Sequence, residues 1–152
     1  MNVCFADNPV LLEFFPANQN QRVNIGSDLT LGCRFNANPK PEIRWFFVDS
    51  FNHKNQVLNS DDGDLVLRNI SYLQEGDYFC EGVNFNSSTN LENVVRNRPF
   101  SVKATGRPQF LSDNVVISAY NGINSRLENV FCSDPAPKRV YWRVGEEQYD
   151  VE

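Results

Sequence analysis

The chain has 152 residues and a net charge of −5, with 12% aromatic residues available for a packed core. This acidic balance, with no basic run longer than a pair, argues against nucleic acid and anionic membrane surfaces as partners. No stretch of about 20 apolar residues occurs, so no membrane insertion by this chain is expected.

In chain order, residues 1–9 are the least legible. MNVCFADNPV has neither a basic start nor an apolar run that would serve as a leader. Val10–Phe15 reads as a strand stopped by Pro16, and Gln21–Ile25 as a second, after which Gly26-Ser27 turns the chain. In DLTLGCRF, Leu29, Leu31, Cys33 and Phe35 fall on one face of a strand with period two. Asn36–Pro41 is turn-rich, and its two prolines keep it out of helix. The strand Glu42–Val48 follows, with Ile43, Trp45 and Phe47 on one parity. Residues 49–62 are polar and hold at most a short edge strand around Gln56–Leu58. Strands are expected over Gly63–Ile70, Asp77–Phe85 and Val94–Ala104, with Asn86–Asn93 as a surface loop. Gly76, Tyr78 and Cys80 recur at every second position, which suggests a tight corner feeding a strand.

The chain then restarts. Val115–Tyr120, Leu127–Ser133 with Cys132, and Val140–Val144 with Trp142 read as three more strands. Asp134-Pro135-Ala136-Pro137 echoes Asn38-Pro39-Lys40-Pro41, the mark of an internal repeat. Ala104–Pro108 is too short for a floppy linker.

Cysteine, tryptophan twelve residues later, and Tyr-x-Cys further on resemble the pattern of immunoglobulin domains. The P-x-P loop before Trp45 and the compact segment after it resemble the I-set modules of adhesion receptors. The resemblance implies an all-β immunoglobulin-like β-sandwich, with one complete domain over 10–104 and a truncated second copy, strands A to C, over 106–152. Residues 1–9 are either the end of a preceding domain, since Cys4-Phe5-Ala6-Asp7-Asn8 is similar to an F-strand run, or a ragged start with a cysteine outside any pair. It further implies a Cys33–Cys80 disulfide, Trp45 packed against it, and a Tyr78 hydroxyl bonded to nearby backbone. Where many relatives carry an aspartate six positions before the second cysteine, this chain has Gln74, which puts the usual ion pair there in doubt. A disulfide places the chain in an oxidising, extracellular compartment. On that reading it is a piece of a secreted or membrane-anchored protein.

Chemistry-bearing constellations are sparse. The single histidine, His53, sits in a polar stretch without a nucleophile–base arrangement, and the cysteines show no C-x-x-C spacing. Neither enzyme activity, a metal nor a cofactor is expected. Asp61-Asp62-Gly63-Asp64 lacks the acidic alternation of a calcium loop and reads as a solvated turn. Two glycosylation sequons begin at Asn69 and Asn86. Parity turns Arg44, Phe46 and Val48 of one strand outward together with Phe79, Glu81, Val83 and Phe85 of its neighbour. These are expected to form an apolar patch, edged by Arg44 and Glu81, opposite a polar outer surface of the other sheet. The resemblance implies adhesion or recognition at the cell surface, with a homophilic or another immunoglobulin-superfamily partner. The alternatives are a secreted immune-type protein and an intracellular I-set scaffold module.

Overall fold

The computed structural model describes residues 8–50, 55–58, 62–86, 91–111, 116 and 118–151. Cys4, His53 and Asp61 lie outside them. The chain divides into two compact units, Met1–Ala104 and Thr105–Glu152.

The first unit is built from β1 (Val10–Phe15), β2 (Asn20–Asn24), β3 (Leu29–Asn36), β4 (Glu42–Asp49), β5 (Asn55–Leu58), β6 (Asp64–Leu67), a 3-10 turn (Tyr72–Gln74), β7 (Gly76–Asn86), β8 (Leu91–Arg96) and the start of β9 (Phe100–Phe110). One sheet has the order β1-β3-β6. The other runs β9-β7-β4-β5, with β8 also on β7 and β2 on β9. The alternation seen in the sequence is the alternation of the sheets. Leu31, Cys33, Leu65 and Leu67 from one sheet meet Trp45, Phe47, Tyr78, Cys80, Phe100 and Val102 from the other, all of them buried. Phe47 stacks on Tyr78 at 4.5 Å between ring centroids, and Trp45 packs beside Phe100 at 6.0 Å.

The strand expected over Val94–Ala104 is broken. β8 ends at Arg96 and β9 starts at Phe100. Pro99 has no N–H to give a ladder. At the break the buried Asn97 takes over the pairing: its N–H donates to Cys80 O at 3.0 Å, and its Oδ1 accepts the Cys80 N–H at 2.9 Å. β6 is shorter than the expected Gly63–Ile70. Gly63, at φ +90°, precedes it, and Asn69, at φ +48°, turns the chain out of it.

The second unit contains the rest of β9, β10 (Phe131–Asp134), β11 (Tyr141–Val144) and β12 (Glu147–Asp150). Phe110 pairs with Phe131 and Gln109 with Cys132, and the register then slips so that Gly106 meets Asp134. The slip spans Pro108, which cannot donate to the ladder. The segment around Gly106 expected as a linker is therefore strand. The strand expected at Val115–Tyr120 is absent from Val116 and residues 118–120, and the one at Leu127–Ser133 is reduced to β10. β11 and β12 form a hairpin with Trp142 opposite Tyr149. β12 was not legible in the sequence. None of the described residues of this unit is buried, and Trp142 is 37% exposed.

Candidate interaction face

Three features hold the two sheets of the first unit in place. Cys33 on β3 and Cys80 on β7 are joined in a disulfide whose sulfurs are fully buried with the residues. Trp45, paired with Cys80 in the ladder, is also fully buried, and its indole N–H donates to Gly63 O at 3.3 Å. The Tyr78 hydroxyl donates to Gln74 O at 2.8 Å, tying β7 to the turn before it. Burial, and secondarily the Asp49 carboxylate, push the Tyr78 phenol well above its ordinary range. Gln74 makes no ion pair: its Oε1 accepts the Ser71 N–H at 2.9 Å and closes the 3-10 turn.

The outward surface of β4, β7 and β8 follows from the register. Arg44, Glu81 and Arg96 lie in one row across the sheet, Phe46 is opposite Phe79, and Glu42, Val83 and Val94 form a further row. Arg44 donates through Nε and Nη2 to Glu42 at 3.0 and 3.1 Å, and through Nη1 and Nη2 to Glu92 at 3.2 Å. Hydrogen bonds donated to Glu42, and then to Glu92, raise the Arg44 guanidinium, and the contact with Glu42 lowers that carboxyl. Arg96 comes from the opposite side. Its guanidinium sits 5.6 Å from the ring centroids of both Phe46 and Phe79, and it pairs with Glu81 through Nε and Nη2.

The face therefore differs from the patch expected. Parity places Phe46, Phe79, Glu81, Val83 and Phe85 on it, but only Phe85 stands well clear, at 54% exposure. Val83 and Glu81 are buried, at 5% and 7%, and Phe46 and Phe79 are half-buried. The physical reason at the rings is Arg96, whose guanidinium lies over both Phe46 and Phe79 and pairs with Glu81. Arg96 and Glu92 were not singled out in the sequence. Alternation along Leu91–Arg96 carried a signal for their side of the strand, but their partners depend on the hairpin register. The contrast with the other sheet is also corrected: β1 presents Leu12 and Phe15 outward at 64% and 63% exposure, with Val10 and Val66 exposed as well.

Asn69 is exposed two residues beyond the end of β6, and its N–H donates to Asp28 Oδ1 at 2.8 Å. Asn86 is the last residue of β7 instead of a loop residue. Its side chain and residues 87–90 lie outside the described set. Asp62 is exposed and paired with Lys40 at 2.8 Å, whose hydrogen bond lowers its carboxyl, and Asp64 pairs with Arg34 at 2.7 Å.

Two antiparallel sheets, pinned by a buried disulfide against a tryptophan and closed by a tyrosine-bonded corner, define an immunoglobulin-like β-sandwich. The chain belongs to the immunoglobulin domain family, whose model matches residues 9–84. It is similar to human Kin of IRRE-like protein 1, 29% identical over 128 residues, 84% of this chain and 15% of that protein. It is also similar to vascular cell adhesion protein 1 of Canis lupus familiaris, 28% identical over 110 residues, 69% of this chain and 15% of that one. A structure of tandem titin immunoglobulin domains superposes with a TM-score of 0.55 at 19% identity, covering 97% of this chain and 73% of that one. The chain thus spans about 15% of the length of these two relatives. Among the described residues no helix is long and apolar enough to cross a membrane.

Proposed function

We propose that this chain is an extracellular protein-binding module that serves cell adhesion or cell-surface recognition through the outward face of β4, β7 and β8. The observation that carries the reading is the composition of that face. Arg44 and Arg96, fixed by Glu42, Glu92 and Glu81, lie beside Phe46 and Phe79, and the exposed Phe85 and Val94 flank them. Preorganised arginines and aromatic side chains are the residue types that dominate binding energy at protein interfaces. The immunoglobulin relatives, one of them named for cell adhesion, support the same reading. The partner is a cell-surface protein, either a second copy or another immunoglobulin-superfamily member. Carbohydrate on Asn69 and Asn86 belongs to this reading, and the buried disulfide supports an oxidising compartment.

The test uses cells that display the chain. Phe85→Asp combined with Val94→Asp leaves the core untouched and should abolish cell clustering and self-association in sedimentation, with circular dichroism unchanged. A well-folded double variant that clusters and sediments like the parent would remove this face from consideration. Free thiols at Cys33 and Cys80 in native material would instead favour the intracellular scaffold reading.

A further inference from the structure

The segment between β9 and β10 contains an Asn-Gly pair, Asn121-Gly122, in a defined and open setting. Ile123 N–H donates to Tyr120 O at 3.2 Å, and Gly122 has φ +81°, so residues 120–123 form a turn with glycine at its third position. The N–H that closes this turn is that of Ile123, which leaves the Gly122 amide uncommitted. Nothing stands within 4 Å of the point where a Cβ on Gly122 would be, and residues 118–130 are all exposed.

We propose that Asn121 deamidates spontaneously in the folded protein by attack of its own backbone. The Gly122 amide nitrogen attacks Cγ of Asn121. An N–Cγ bond forms, the Cγ–Nδ2 bond breaks, and the amide proton leaves with the side-chain nitrogen as ammonia. Water then opens the five-membered imide at either carbonyl, giving aspartate or isoaspartate at position 121. One water is consumed, one ammonia is released, and nothing is oxidised or reduced. Glycine matters because a Cβ on the attacking residue would crowd the closing ring. The product adds a negative charge to a chain whose formal charge is already −5. The isoaspartate form also lengthens the turn backbone by one carbon.

The full chain is incubated folded at mildly alkaline pH, and in parallel unfolded in urea, and both are followed by peptide mass mapping. An isoaspartyl carboxyl methyltransferase serves as the probe for the isoaspartate form. Conversion is expected at Asn121 in the folded chain, ahead of Asn124, whose neighbour Ser125 carries a Cβ, and should disappear in Asn121→Gln. Persistence of Asn121 in the folded chain while it converts in urea would overturn the proposal, because the fold would then protect the site. Equal rates at Asn121 and Asn124 would also overturn it, because the glycine turn would then have no part.

Discussion

Arg44 on β4 reaches over β7 to Glu92 on β8, bonding both carboxylate oxygens at 3.2 Å, and crosses the sheet beside the buried Val83. In the ladder Val83 lies between the rows of Arg44 and Glu92, so the arginine stem is expected to supply it with apolar cover. Arg44→Ala should therefore cost more than a bare surface ion pair, which contributes about 0–1 kcal/mol. Denaturant midpoints of Arg44→Ala and Glu92→Gln measure this. The arginine truncation is expected to be the larger loss, because it uncovers Val83 as well. The hydrogen bond from Arg44 also lowers the Glu42 carboxyl. That contribution is present above the ordinary glutamate value and disappears as pH falls through the lowered one. The acid limb of the stability profile should flatten in Arg44→Ala.

Tyr78 offers a test at the other end of the pH scale. Its hydroxyl donates to Gln74 O from inside the core, and burial raises its pKa. A phenol kept neutral by the fold favours the folded state only while the unfolded chain is also neutral. Stability should hold below about pH 10, the value of an ordinary tyrosine, and fall as pH rises beyond it. Tyr78→Phe should cost about 1 kcal/mol at neutral pH, the net value of a typical hydrogen bond, and should reduce that alkaline loss. Tyrosinate absorbance during an alkaline titration checks the second part: the last phenol to ionise should coincide with unfolding.

The Cys33–Cys80 bridge closes a loop with a sequence separation of 47. The chain-entropy model values such a loop at roughly 4 kcal/mol. That is a large share of the stability of a small domain. Cys33→Ala with Cys80→Ala should lower the urea midpoint by a corresponding amount. Peptide mapping without reductant should recover the two cysteines as one linked pair.

The sequence made the sandwich legible because its signal is local. Leu31 and Cys33, or Trp45 and Phe47, announce their inward side by alternation alone, whatever they pair with. The corner role of Tyr78 came from the resemblance to immunoglobulin domains rather than from alternation, and its backbone partner proves to be Gln74 O, four residues before it. The face was only half legible. Parity put Phe46, Phe79 and Val83 on the correct side of the sheet, but whether they stay open depends on Arg96 and Glu92. Their positions are fixed by a hairpin register that composition does not reveal. The break at Asn97 was missed for a related reason. An asparagine that replaces a ladder bond looks like any polar residue until its partner, the Cys80 amide, is known. In the second unit, Pro108 suggested a linker end, whereas the strand tolerates it by slipping its register.

Arg96 provides the most specific test of how the face is held. Its guanidinium lies over Phe46 and Phe79 while its charge meets Glu81, whose side chain is 9% exposed against 54% for the arginine. Removing the arginine alone leaves a buried carboxylate without its countercharge and uncovers two aromatic rings. Losing one partner of a buried pair costs about 3–5 kcal/mol, and the exposure of Arg96 places this site below that range, nearer about 2 kcal/mol. Glu81→Gln together with Arg96→Ala should recover part of the loss, since no uncompensated charge then remains buried. Lysine at position 96 should restore the ion pair but not the stacking of a planar group on two rings, so Arg96→Lys should fall between the parent and Arg96→Ala. Urea midpoints for the four proteins decide the matter. If Arg96→Ala is no less stable than the double variant, Glu81 does not depend on Arg96, and the arginine over the two rings is a surface ornament of the sheet.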